Sequence, residues 1–213
     1  MHNYYPVPFV IEKTGRGERQ YDIYSRLLED RIIFIGTTID DDVANAVIAQ
    51  LLFLDKSGRN QDVKMYINSP GGSVTAGLAI YDTMKLVEPE IQTFCVGQAA
   101  SMGASLLAGG TKGKRFALPS ARIMIHEIGF GMSGKYAENR DEFEESTRLF
   151  DVLKGHLAAD SGNSVEKISK AIEYKNVWMS PTEAKEFGLV DHIVGTDDAS
   201  KADAKTDSKE YKE

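Results

Sequence analysis

The sequence predicts an α/β fold built on a mostly parallel sheet. Two patterns lead there: apolar β-branched runs that close on glycine- or serine-containing turns, and, after each run, apolar residues spaced for one face of a helix. The pair recurs three times before residue 110, and such alternation implies crossover connections between parallel strands. With 213 residues, 42% of them hydrophobic, one sizeable core is expected, in a single domain over residues 1–194.

The first strand covers residues 31–36 and ends on Gly36. Asp40, Asp41 and Asp42 then place acid at a helix N-terminus, and Val43, Val47, Leu51 and Leu54 make one apolar stripe that stops near Ser57-Gly58. A second strand over 63–68 leads through Ser69-Pro70-Gly71-Gly72-Ser73 into a helix through Ile80, Met84 and Val87. A third, over 91–96, leads into a short helix over about 101–107, stopped by Gly109-Gly110. Two short strands follow, 115–118 and 121–126, separated by Pro119-Ser120.

Residues 129–134 are rich in glycine and serine, and a long polar helix is expected over about 138–159, with Leu149, Val152, Leu153 and Leu157 on one side. A helix of that character protrudes or pairs with a partner. Another starts near Asn163-Ser164-Val165-Glu166. Ser180-Pro181-Thr182-Glu183 is a capping box with proline at the first helical position, and Gly188 ends that helix before a strand over 189–194. Residues 195–213 are too polar to repay their ordering entropy, so a disordered tail is expected.

Charge and cysteine content narrow the function. A formal charge of −7, from 25 basic and 32 acidic residues, lacks the footprint of a nucleic-acid or anionic-membrane binder. The single cysteine, Cys95, excludes a disulfide framework and a cysteine-rich zinc site. No apolar run approaches the ~20 residues that span a bilayer, and the first residues show no signal-peptide pattern, so a cytoplasmic location is expected. Imidazole chemistry must choose among His2, His126, His156 and His192.

Three local features could carry chemistry. Gly97-Gln98-Ala99-Ala100-Ser101-Met102-Gly103-Ala104 sits where a strand turns into a helix, with spacing close to the nucleophile elbow G-x-S-x-G except that Ala99 replaces the first glycine. A serine there is a nucleophile or merely a helix cap. Ser69-Pro70-Gly71-Gly72 ends another strand, and paired glycines either present backbone N–H groups to a cleft or make a plain turn. His126 ends the apolar strand Ile123-Met124-Ile125 and either faces a cleft or packs in the core.

Other candidates are weaker. Gly109-Gly110-Thr111-Lys112-Gly113-Lys114 fails as a phosphate loop, with Ala108 at the first glycine position and Arg115 where a magnesium-binding hydroxyl belongs. Cys95 is an alternative nucleophile, but it lies inside a strand where a small apolar residue is the usual buried occupant. Ser105, one helical turn past Ser101, has no backbone cradle. No histidine pair and carboxylate stand at metal-ligand spacing, so neither metal nor cofactor is expected.

Ser69-Pro70-Gly71-Gly72, the Gly97 to Ala104 segment and Met124-Ile125-His126 occur in that order behind Gly17-Glu18-Arg19 and Asp22-Ile23-Tyr24-Ser25-Arg26-Leu27-Leu28. Together, over residues 8–194, they resemble ClpP, the proteolytic subunit family of the ATP-dependent Clp protease. The resemblance implies a crotonase-like α/β fold of repeated strand–helix units, with residues 1–20 as an axial segment and a protruding handle over about 127–160. It implies Ser101 as nucleophile, His126 as general base, and the N–H groups of Gly72 and Met102 as oxyanion hole. It also implies two stacked heptameric rings, homomeric or mixed with a second ClpP, that receive unfolded polypeptide from a Clp-family AAA+ ATPase. Leu52, Tyr66, Leu86, Phe94, Phe116 and Leu118 would receive the ATPase loops, the alternative being core packing.

The sequence departs from that family twice. Glu127-Ile128 follows the histidine where relatives have Gln-Pro, and Asn176 stands where they place the third triad member, an Asp. An Asn can accept from the imidazole N–H and orient it but brings no charge to stabilise imidazolium. A catalytically weak or scaffold paralogue in a mixed ring is therefore the competing reading. An acyl-CoA hydratase or hydrolase on the same fold is a third, disfavoured because no basic group for the nucleotide phosphates is evident near the cleft.

Overall fold

The computed structural model describes residues 7–15, 17–58, 61–129, 131 and 135–196. The tail expected to be disordered lies, from residue 197 on, outside the described residues, as does His2. The chain opens with an antiparallel hairpin, β1 (Phe9–Thr14) and β2 (Gly17–Asp22), then helix α1 (Ile23–Glu29). Strand β3 (Ile32–Ile35) leads to α2 (Asp41–Ser57), whose N-cap Asp40 accepts the Val43 N–H at 2.9 Å. Next come β4 (Val63–Ser69), α3 (Val74–Leu86), β5 (Ile91–Ala100) and α4 (Met102–Ala108). Strands β6 (Arg115–Ala117) and β7 (Arg122–Ile125) precede the long α5 (Tyr136–Ser161). The chain finishes with α6 (Val165–Ile172), β8 (Val177–Met179), α7 (Pro181–Phe187) and β9 (His192–Ile193).

Strands β3, β4, β5, β6 and β9 lie in that order and all pair in parallel. On β4, Val63, Met65 and Ile67 are buried while the residues between them are not, the period-2 pattern of a strand with one face on the core. Helices α2 and α3 pack on each other, and Leu51, Leu54, Ile80, Leu106 and Leu107 join Ile33, Ile35 and Cys95 in the core.

Strand β5 runs four residues beyond the expected Val96, and the extension builds the site. Its first half pairs with β6, but its last residues, Gln98, Ala99 and Ala100, pair with Arg122, Ile123 and Met124 of β7. The register against β4 shifts between Ile67 and Ser69, and Gly97 takes the turn at φ 79°. A side chain there would be strained by that φ and would press on Asn68, its Cβ 2.8 Å from Oδ1. Strand β8 pairs antiparallel with β7, Ile125 opposite Val177.

Two further features bear on function. Rings of Phe34, Tyr66, Phe94, Phe116 and His192, each opposite the next in register, stack across the five strands at centroid spacings of 5.2, 4.8, 4.8 and 5.2 Å. The N-terminal half of α5 is largely exposed, whereas Leu153, Leu157, Ala158 and Ser161 of its C-terminal half are buried, as expected of a projecting handle. That end is tied down. Fully buried Arg115 donates to the carbonyls of Ala108 (3.1 Å) and Asp160 (2.8 Å) and to both carboxylate oxygens of Asp191 (2.8 and 2.7 Å). Burial alone would raise the Asp191 carboxyl, but the hydrogen bonds and charge of Arg115 hold it below its ordinary value.

Candidate active site

Ser101 follows β5 directly and opens α4 with φ 56° and ψ −123°, a backbone region that residues other than glycine rarely occupy. The surroundings enforce it: the Ser101 N–H donates to the Met124 carbonyl of β7 at 2.8 Å, while its own carbonyl accepts from Ala104 and Ser105 of α4. Its side chain makes no capping bond to the helix it precedes. Instead Oγ stands 2.9 Å from Nε2 of His126, one residue past the end of β7. The cap alternative is therefore not the geometry found, and His126 meets the cleft rather than the core.

The Ser69-Pro70-Gly71-Gly72 turn lies against the same serine. The carbonyl of Gly71 and the N–H of Ser73 bond to Ile39, fixing the loop, and Gly71 adopts φ 92°. A Cβ on Gly71 would come within 2.6 Å of the Ser101 Cβ, and one on Gly72 within 2.1 Å of the Ile39 carbonyl oxygen. Only bare backbone fits there. No hydrogen bond among the described residues uses the N–H of Gly72 or Met102, and both residues line the cavity that contains Ser101 and His126. Two free N–H groups beside a hydroxyl that faces the cleft suit the charge of a tetrahedral oxyanion.

Asn176 reaches the neighbourhood through the β7–β8 ladder. The antiparallel register that sets Ile125 opposite Val177 carries Asn176 toward His126. Both border an open pocket of about 390 Å³ with Glu127, Ile128, Tyr174 and Lys175. Asn176 is exposed, it follows a turn in which Tyr174 takes φ 56°, and among the described residues no hydrogen bond joins it to His126. The structure thus brings Ser101, His126, Gly72 and Met102 together and leaves Asn176 adjacent but unbonded to the imidazole.

A model of the family described as Clp protease matches residues 15–197. The chain belongs to the Clp protease family. Membership makes it a ClpP-type peptidase and carries, in general, association with Clp ATPases and assembly into rings. Among the described residues no helix is long and apolar enough to cross a membrane.

Cys95, His156 and His192 of this Clp protease chain fall away from the site. Cys95 is fully buried, and burial pushes its thiol up to about 12, which leaves almost no thiolate at neutral pH. His156 stacks on Tyr81 at 4.3 Å, and His192 on Phe116 with Nε2 3.0 Å from the Gly113 carbonyl oxygen. Of the expected ATPase-contact residues, Tyr66, Phe94 and Phe116 belong to the stacked row, where Phe116 is buried. Leu118 packs against the core, while Leu52 and Leu86 are exposed on α2 and α3. The sequence did not reveal that α5 walls the cavity, through Phe150, Leu153, Lys154 and Leu157, or that Ser105 lines it. The apolar spacing of Leu153 and Leu157 marked a buried face, but nothing local tied that face to Ser101.

Proposed function

We propose that the chain is a serine endopeptidase subunit of a self-compartmentalised ring protease that cleaves unfolded polypeptide delivered by a Clp-family ATPase. Ser101 Oγ attacks the scissile carbonyl as His126 Nε2 takes its proton. The N–H groups of Gly72 and Met102 receive the oxyanion, and His126 returns the proton to the departing amine. Water activated by the same imidazole then releases the acyl group. The 2.9 Å contact between Ser101 Oγ and His126 Nε2, on a strained elbow without a capping bond, carries this reading. In the assembled enzyme Asn176 orients the imidazole, and the stacked row with Tyr66, Phe94 and Phe116 belongs to the docking surface for ATPase loops. Labelling with a fluorophosphonate and locating the adduct by mass tests it: a stoichiometric Ser101 adduct is expected.

One observation favours a second reading. Because Asn176 is not bonded to His126, the chain would be a weak or scaffold subunit that works beside an active ClpP in a mixed ring. Absence of adduct in the isolated chain and in every assembly state would select that reading.

A further inference from the structure

The cavity beside Ser101 holds two polar groups that the proposed reaction does not use. Its volume is about 210 Å³, and Val74, Ile125, Ile128, Phe150, Leu153 and Leu157 supply apolar walls. Ser105 and Lys154 interrupt them. Ser105 sits one turn of α4 beyond Ser101 and is only 6% exposed, and its hydroxyl has no hydrogen-bond partner among the described residues. Lys154, on α5, has a side chain 18% exposed, its Nζ 2.8 Å from Asp151 Oδ1 and 4.6 Å from the centre of the Phe150 ring. The Asp151 side chain is 66% exposed, so this ion pair is screened by solvent and weak. An ammonium has three donors, of which Asp151 engages one.

We propose, resting on the peptidase reading above, that this cavity receives the substrate side chain on the acyl side of the scissile bond and that Ser105 and Lys154 make it select glutamine. The glutamine stem lies along the apolar walls. Its carbonyl oxygen accepts from the Lys154 ammonium, and its amide NH₂ donates to Ser105 Oγ. Leucine fits the walls but leaves both polar groups desolvated and unpaired, the situation in which a site discriminates against an isostere. Lysine or arginine brings like charge to Lys154. Glutamate is second to glutamine for a different reason. The adjoining cavity, about 330 Å³ and sharing Phe150 and Lys154, sets Glu127, Glu166 and Glu173 against the single further cation Lys170. A substrate carboxylate gains the Lys154 ammonium but meets that excess of negative charge, whereas a neutral amide pairs with both Lys154 and Ser105 and is not repelled.

The test is a set of fluorogenic peptides identical except for glutamine, glutamate, leucine or lysine at the cleaved position, assayed as kcat/KM with the purified full chain. Glutamine is expected to lead, with leucine and lysine both below it. Lys154→Met and, separately, Ser105→Ala are each expected to lower the glutamine-to-leucine ratio about tenfold, the size of one lost hydrogen bond to a charged or buried group. Lys154→Arg, which keeps the charge and the donors, is expected to restore the preference. A ratio unchanged in both Lys154→Met and Ser105→Ala, or a leucine peptide that leads in the parent chain, overturns the assignment while leaving the peptidase reading intact. Cleavage of none of the peptides, together with no fluorophosphonate adduct on Ser101, refutes the peptidase reading and the pocket assignment with it.

Discussion

Replacing Asn176 with Asp asks whether the residue beside His126 acts on the imidazole. A carboxylate there would stabilise the imidazolium that forms as Ser101 attacks, which the amide does not. In a serine protease with a complete Ser-His-Asp triad, the reverse Asp→Asn change costs ~10⁴ in turnover, but that Asp is buried and bonded to its histidine. Asn176 is exposed and not bonded to His126, so water screens the new charge. At ~4 Å, opposite charges attract by ~1 kcal/mol in bulk water and ~4 kcal/mol near a protein surface. An exposed position lies toward the lower end, about 1–2 kcal/mol, which corresponds to a rate gain of roughly five- to thirty-fold. The assay is turnover of a short fluorogenic peptide by the isolated chain, with sedimentation on the same samples, because Lys175 next in sequence could pair with the new carboxylate and alter assembly instead. Unchanged turnover per assembled ring would refute the orienting role. A gain near 10⁴ would refute the screening argument and place position 176 in a dry, bonded site in the working enzyme.

Ser101→Ala is expected to abolish peptide hydrolysis with ring assembly intact, and the Ser101→Ala/His126→Ala double variant to be no worse than either single change, since the pair acts as a unit. Residual activity in Ser101→Ala comparable to the parent would move the nucleophile elsewhere. Tyr66→Ala is expected to keep peptide hydrolysis but lose ATPase-driven degradation of a folded protein. Phe116→Ala, at 8% exposure, should in addition cost about 3–5 kcal/mol in urea unfolding, and an equal loss of both activities in Tyr66→Ala would assign that row to packing. Asp191→Ala should cost about 3–5 kcal/mol because it strands the fully buried Arg115 charge. The Asp191 carboxyl is held below its unfolded value, so its contribution is fully present above about pH 4 and is lost as pH falls through the folded value. The stability gap between the parent and Asp191→Asn should therefore be flat from neutral pH to about pH 5 and close in more acidic solution, as read from urea midpoints.

What is legible in the sequence is what local backbone chemistry decides. The capping box at Ser180 and the acid-capped start of α2 at Asp40 are short-range patterns, and the structure has each where the pattern puts it. The hairpin of β1 and β2 leaves no such mark, because Gly17–Asp22 buries no residue and so has no apolar alternation to read, and α1 buries none either. Strand β5 outruns its expected end by four residues because a glycine normally ends a strand, whereas Gly97 here bends one and lets Gln98 to Ala100 change partner from β6 to β7.

The same division runs through the site. Ser101, His126 and the Gly71-Gly72 turn are legible because each stands at the end of a strand, where sequence alone marks an exposed backbone. Their meeting depends on that change of partner, which sets the end of β5 beside β7 and brings Ser101 within 2.9 Å of His126. Asn176 is singled out by family resemblance and not by its own sequence neighbourhood. What carries it to the histidine is the antiparallel β7–β8 register, a long-range pairing with no local signature. Ser105 and Lys154 lie on two helices that share a wall only after α4 and α5 pack, so their joint use of one cavity is a property of the fold and not of either helix. Attack, proton transfer and oxyanion binding need fixed geometry and sit on strand ends held by hydrogen bonds, whereas side-chain selection needs only a lined cavity. Lys154 stands on α5, away from the strand ends that hold Ser101 and His126, so a substitution there changes the cavity lining of the proposed selection without moving the attacking pair.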